Sequence, residues 1–332
     1  PDFNGCKVAV ELTGKYDFVY ASVGIHPHDA KDFTEEVFNQ IKIWATPPHP
    51  PFSKGGQQRG KVVAIGEIGL DYHYDHSPRN VQRDVFIKQL NYAVESGIPA
   101  IIHSREAKED TLRILEESRV SKGVLHCFSG VMETAEKAME MVLYISFAGT
   151  VTFKKALQIQ KIAKVIPDEY LLIETDAPYL APEPFRGKRN EPAVVKHIAE
   201  CIAKLRGVST EDIDRITTLN ARRLFGIGDM PVMGEIAYKI REGLYLNITN
   251  RCTSKCSFCI KFHSDFVKGH NLRLAEEPSV DELKSAIGDP ALYKEVVFCG
   301  YGEPLLRLDV VKEVASWIKE KGGKVRINTN GH

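Results

Sequence analysis

The sequence predicts an α/β protein: an incomplete TIM-type (β/α) barrel lacking its first two strands, followed by the N-terminal part of a second (β/α) unit. Three observations lead there. Up to about residue 228, short β-rich runs alternate with amphipathic helical stretches, the pattern of parallel βα units. No glycine-rich phosphate turn follows the first run, which argues against an open dinucleotide-binding sheet. Gly and Pro then break the pattern across GIGDMPVMGE (226–235) before strand-like runs resume. The expected division is a barrel over 1–228, a linker over 229–240 and a second domain over 241–332.

In chain order, VAVELTGKYD reads as a helix feeding the first strand, FVYASVGI (18–25). Further strands are VVAIGEIGL (62–70), PAIIHS (99–104), GVLHCFSG (123–130), LYISFAGTV (143–151) and YLLIETDAP (170–178). VQRDVFIKQLNYAVES (81–96) and AEKAMEMV (135–142) carry helical patterns between them. Six such strands suit a (β/α)₈ barrel short of two units. TPPHPPFSKGGQQRGK (46–61) is too rich in Pro, Gly and Lys to bury a core and reads as a surface insertion, with a peptide-recognition segment as the alternative. LYLNITN (244–250), VVFCGYGEP (296–304) and KVRINTNGH (324–332) supply strands of the second domain. The chain has no initiator Met and both ends fall inside these domains, so a fragment is expected.

Composition narrows the function. The hydrophobic fraction is 43%, the charged fraction 27% and the net charge zero, so any phosphate-binding patch must be local. No apolar run approaches the ~18–20 residues that span a bilayer, and no signal peptide opens the chain. Seven cysteines, three tightly grouped, point to metal ligation in a reducing compartment. A cytoplasmic protein without a membrane partner is expected.

Four ligand-type residues end four predicted strands: Glu67, His103, His126 and Asp176. Strand C-termini form the catalytic face of such barrels, so a shared metal site is expected there. Period-two alternation puts Glu174 on the Asp176 face, one layer deeper, as a carboxylate behind the ligands. Cys127, beside His126, should by the same alternation face the surrounding helices, and Cys6 and Cys201 read as core. His26 follows the first strand and is either a phosphate contact or a loop-organising residue beside Pro27 and near His28. Arg186, Lys188 and Arg189 in PFRGKRNEP (184–192) either neutralise substrate phosphates or form a solvated basic loop.

GIHPHDA, GEIGLDYH, HSRE, HCFSG, ETDAPYL, RNEP and LNARRLF, in this order, resemble the TatD family of metal-dependent deoxyribonucleases. The resemblance implies hydrolysis of phosphodiesters, with exonuclease action on DNA, in particular single-stranded DNA. It places metal ligands on Glu67, His103, His126 and Asp176 for two divalent ions (Mg, Mn or Zn). Glu67 would bridge the ions, and Asp176 would hold one or take the proton of the attacking water. The family's HxH pair on its first strand has no counterpart here, so this stretch alone is expected to be inactive.

Cys252, Cys256 and Cys259 form CxxxCxxC with Phe258 before the last cysteine, a spacing that resembles the radical SAM family. Three thiolates can hold three irons of a [4Fe–4S] cluster and leave the fourth open. The resemblance implies that S-adenosyl-L-methionine fills that position, is cleaved reductively, and needs an electron donor such as flavodoxin or ferredoxin. It also assigns the Gly300, Gly302, Glu303 and Pro304 turn, with Tyr301 where the family has glycine, and Asn328 and Asn330, to contacts with that cofactor. A zinc site with Cys299 as a distant fourth ligand is the alternative. For the barrel the alternatives are an amidohydrolase-type or aminoacyl-tRNA ester hydrolase, or a scaffold that merely holds metal.

Overall fold

The computed structural model describes residues 2–46 and 61–331; residues 47–60 of the expected insertion lie outside the described residues. Two compact units emerge: Pro1–Arg206 with Asn220–Gly228, and Gly207–Leu219 with Asp229–His332.

In the first unit, α1 (Phe3–Lys15) leads to β1 (Ala21–Val23), α2 (Glu35–Ala45), β2 (Val62–Asp71) and α3 (Arg79–Ser96). Then come β3 (Ala100–Arg105), α4 (Lys108–Glu117), β4 (Gly123–Leu125), α5 (Met132–Glu140), β5 (Tyr144–Phe147), α6 (Leu157–Val165), β6 (Leu171–Ile173) and α7 (Val195–Arg206). Helix α8 (Thr210–Phe225) is divided between the units. The six strands lie in sequential order, every neighbouring pair parallel, as barrel strands do.

Strands β4 and β6 stop earlier than the apolar runs suggest, while β2 and β3 each run one residue further. β4 ends at Leu125 and β6 at Ile173, so His126 and Asp176 sit on the turns that follow. Asp176 (φ 56°) and Cys127 (φ 44°) adopt left-handed backbone conformations that no strand allows, and these end the alternation.

Helix α3 shows how sequence builds this unit. Its buried positions are Gln82, Val85, Phe86, Gln89, Leu90 and Ala93, one continuous helical stripe against the sheet. Two of the six are glutamines, and both act on the site. Gln82 accepts the Asp71 N–H (2.8 Å) and donates to the carbonyls of Asp71 (3.1 Å) and Ser77 (2.8 Å). Gln89 accepts from Ile25 N (2.7 Å) and donates to Ile25 O (3.0 Å). Buried amides stay only where they are satisfied, and here they pin the segments that carry His26 and Asp71.

The second unit is a four-stranded mixed sheet in the order β12 (Val325–Ile327), β11 (Glu295–Cys299), β8 (Gly243–Asn247), β7 (Ala237–Ile240). β7 pairs antiparallel with β8; the remaining pairs are parallel. A two-stranded ribbon, β9 (Phe266–Val267) with β10 (His270–Asn271), is separate. Helices α9 (Val280–Ile287) and α10 (Leu308–Glu320) bury Leu283, Ile287, Val311, Val314 and Ile318 against Leu244, Leu246, Val296 and Phe298. Ser279 and Glu282 close the start of α9 with a reciprocal capping box. The arrangement resembles part of a radical SAM barrel. Among the described residues no helix is long and apolar enough to cross a membrane.

Candidate metal centre and the cysteine loop

Parallel pairing brings the site-bearing segments of the first unit to one level, with a register shift in β2 between Ile65 and Ile68, around Glu67. His103 lies opposite Gly69, two residues beyond Glu67, and His126 N donates to Ile102 O (3.0 Å). Glu174 N donates to Phe147 O (3.1 Å), carrying the same ladder past β6.

Glu67 is the hub. One oxygen, Oε1, lies 2.7 Å from His103 Nδ1, 3.2 Å from His126 Nε2 and 3.5 Å from His26 Nε2. Asp176 Oδ1 is 3.8 Å from His126 Nε2. Among the described residues, His26, Glu67 and His103 offer three ligand atoms all within 4.8 Å of one another. The four residues expected at the strand ends are therefore brought together. His26 joins them: its Nδ1 accepts the His28 N–H (3.2 Å), which leaves Nε2 facing Glu67.

Behind these groups lies a second layer. Glu174 Oε1 meets His126 Nδ1 (2.7 Å) and accepts the Cys127 N–H (2.8 Å), while Oε2 accepts from Ser146 Oγ (2.6 Å). Asp71, 1% exposed, takes His28 Nε2 (3.0 Å) and His103 Nε2 (3.1 Å) on Oδ2, and the backbone N–H groups of His73 and Tyr74 (3.0 Å each) on Oδ1. Asn190 of the RNEP stretch is buried and donates to Thr175 O (2.6 Å) and Tyr179 O, closing the loop that presents Asp176. Sequence reasoning placed Glu174 in this role but missed Asp71, although Glu67, Gly69 and Asp71 alternate along one strand.

Charge follows from this geometry. Burial works against the Glu67 carboxylate, but the three imidazoles outweigh it and hold the group far below the usual carboxylate range. Burial likewise opposes charge on His103 and His126, yet the facing carboxylates raise both, His126 strongly. His26 is lowered by burial, and Asp176 is raised by it. Four carboxylates (Glu67, Asp71, Glu174, Asp176) against these imidazoles leave a half-buried centre suited to a cation, with the mixed N/O donors that divalent ions take.

One expectation changes. Cys127 does not face the helices but lies toward the carboxylates of the centre: burial first, and then Glu174 and Asp176, push its thiol up, and its backbone N–H is held by Glu174 Oε1 (2.8 Å). Its left-handed backbone (φ 44°) breaks the strand alternation on which the expectation rested. The basic loop stands apart from these contacts: Arg186 lies over Phe153 (4.3 Å to the ring centroid), Arg189 is exposed, and among the described residues neither has a hydrogen bond or ion pair with the centre.

In the second unit the cysteines follow β8 on a loop without helix or strand; Cys252 is exposed, Cys256 and Cys259 half-buried. Among the described residues their sulfurs do not come together within 4.8 Å. A single tetrahedral ion with ~2.3 Å bonds to sulfur needs closer thiolates, whereas a cluster takes each thiolate on a different iron. Gly300 (φ 106°) and Gly302 serve close packing: a Cβ would fall 2.5 Å from Asn247 Oδ1 at Gly300 and 2.3 Å from Arg251 O at Gly302. Glu303 is buried, with its carboxylate taken up by Leu305 N, Asn330 N and Thr329 Oγ1 (2.8–3.0 Å). Asn328 Nδ2 reaches Cys299 Sγ (3.4 Å), and Asn330 Nδ2 reaches Ser254 Oγ (2.9 Å) on the cysteine loop.

The family model of TatD related DNases matches residues 2–226. The chain belongs to this family. A model of the radical SAM superfamily matches residues 246–332, so a TatD-type domain is fused to a radical SAM domain. The uncharacterized metal-dependent hydrolase YabD of Bacillus subtilis is 48% identical over 221 residues, 66% of this chain and 82% of the relative. The 3'-5' ssDNA/RNA exonuclease TatD of Citrobacter rodentium is 35% identical over 226 residues, 66% of this chain and 81% of that one. Among solved structures, the TatD homologue YJJV of Escherichia coli aligns with a TM-score of 0.60 at 27% identity, covering 67% of this chain and 82% of its own.

Proposed function

We propose that the first unit is a metal-dependent phosphodiester hydrolase acting on single-stranded DNA from an end, and that the second binds a [4Fe–4S] cluster and S-adenosyl-L-methionine. The observation carrying the first half is the convergence of His26, His103 and His126 on one oxygen of Glu67, with Asp176 beside them. Glu67, His103, His126 and Asp176, with His26, would hold one or two divalent ions, which supply Lewis acidity toward a phosphoryl oxygen. Glu174 and Asp71 fix the rotation of His126 and His103. Asp176, its proton affinity raised by burial, is the carboxylate suited to accept a proton from an attacking water at Oδ1. The exonuclease named among the relatives supports the substrate class.

Cys252, Cys256 and Cys259 would hold the cluster, whose chemistry is one-electron reduction of the bound sulfonium cofactor. Gly302 packs against Arg251 at the start of that loop, Gly300, Pro304 and Asn328 would join it in holding the cofactor, and Glu303 ties the β11 turn to the segment after β12. A flavodoxin or ferredoxin would deliver the electron in a cytoplasmic setting.

The test strips the protein of metal with chelator, restores Mg, Mn or Zn singly, and follows nucleotide release from end-labelled single-stranded DNA. Metal-dependent release that Glu67→Gln reduces to background is the expected result. Release of an amino acid from aminoacyl-tRNA without nucleotide release would overturn it.

A further inference from the structure

Four consecutive exposed residues follow the buried Asp71 by one position: His73, Tyr74, Asp75 and His76. They belong to the loop after β2, on the same rim as Glu67. Tyr74 is 50% exposed, and its backbone is anchored by an N–H bond to Asp71 Oδ1 (3.0 Å). The ring has ordered surroundings. His76 lies parallel to it (5.5 Å between centroids, 3° between planes), and the Arg105 guanidinium sits 4.7 Å from its centroid. Arg105 comes from the end of the adjacent strand β3, and among the described residues no carboxylate pairs with it. The nearby acids are engaged elsewhere, Asp75 with Arg79 and Glu106 with His73. An unbroken run of ring contacts joins this surface to the metal centre: Tyr74 to His28 (5.5 Å), His28 to His26 (4.4 Å).

An exposed aromatic ring, on a backbone anchored by a buried carboxylate and beside a guanidinium that no carboxylate among the described residues pairs, has the features that bind unpaired bases. The ring offers a π face to any base, and the cation serves the phosphate or stacks in turn. A platform anchored in advance also loses less entropy on binding.

We propose that Tyr74, with Arg105 and His76, is a stacking subsite for an unpaired nucleobase at or next to the phosphate held by the metal centre. The proposal rests on reading the first unit as a phosphodiester hydrolase. The platform would make the enzyme prefer strands whose bases are free to unstack, whatever their sequence.

The experiment compares a short labelled single strand with an abasic strand of equal length, using fluorescence anisotropy on chelator-treated protein so that nothing is cleaved. Wild type should bind the base-bearing strand about tenfold more tightly. Tyr74→Ala should abolish that preference and leave abasic-strand affinity unchanged, and Tyr74→Phe should keep it. The proposal is overturned if wild type binds both strands equally or binds neither, or if Tyr74→Ala weakens both alike. Absence of metal-dependent cleavage by wild type would instead count against the hydrolase reading, independently of this ratio.

Discussion

The imidazole–carboxylate centre and the cysteine loop are built on opposite plans. Around Glu67, the imidazoles and Asp176 issue from the late part of a strand or the turn beyond it, and each is backed by a partner: Gln89 behind the His26 segment, Asp71 behind His103, Glu174 behind His126, Asn190 behind the Asp176 loop. Cys252, Cys256 and Cys259 lie on a loop that ends in one short 3₁₀ turn (Ile260–Phe262), Phe258 is 86% exposed, and tethers such as Lys261 Nζ to Asn250 O (2.6 Å) hold the loop. The lesson is about when order is acquired. Oxygen and nitrogen donors can neutralise one another by hydrogen bonding, so a hard-ion site can be assembled in advance. Thiols make only weak hydrogen bonds, so a sulfur site gains its order from the group it binds.

The sharpest way to break this contrast is to load each site and ask what moves. Anaerobic reconstitution with iron and sulfide should slow amide exchange across residues 251–262 by about tenfold or more, whereas a divalent ion should leave β2–β4 nearly unchanged. Cys256→Ala should reduce bound iron to background and abolish the slowing. Equal ordering at both sites on loading would show that the first is no better prepared than the second.

A smaller effect sharpens the same point from within the first unit. If partners behind the ligands do the preparing, Glu174→Gln should keep the shape and the Ser146 contact but weaken the hold on His126. The expected cost is about 10- to 100-fold in metal affinity or turnover, measured by metal titration and nucleotide release. An unchanged affinity would mean that His126 is positioned by its backbone alone.

How much of this could be read beforehand differs by layer. The six parallel strands were legible because each is a short apolar run between helical patterns, and His103, His126 and Asp176 because each falls near the end of such a run, whereas Glu67, expected at a strand end, lies inside β2 with four strand residues after it. Antiparallel β7 was not, since AYKI lies in a stretch that reads as a linker. Gln82 and Gln89 were invisible because glutamine on a helix normally signals solvent, and only the fold shows which backbone groups they satisfy. Cys127 misled because alternation holds only while the strand lasts, and its left-handed turn follows the strand's last residue by two. Asp71 could have been found: a strand that places Glu67 on one face places residue 71 there too.

The smallest expected effect concerns protons, which occupy the prepared site when no ion does. In the metal-free protein Glu174 and Glu67 raise His126 well above 6.5 despite its burial. A histidine raised in the folded state stabilises the fold fully below its unfolded value, and that contribution is lost as pH climbs through the folded value. The melting temperature of the metal-free protein should therefore fall as pH rises from about 6.5 upward. A bound ion competes with those same protons, so the increase in melting temperature on adding metal should grow over the same interval. Glu174→Gln should flatten both trends by lowering His126 toward its ordinary value. A metal-free melting temperature that stays level or rises across this interval would mean that the protonated imidazoles contribute nothing to holding the site, and that its order comes from the backbone and the buried amides.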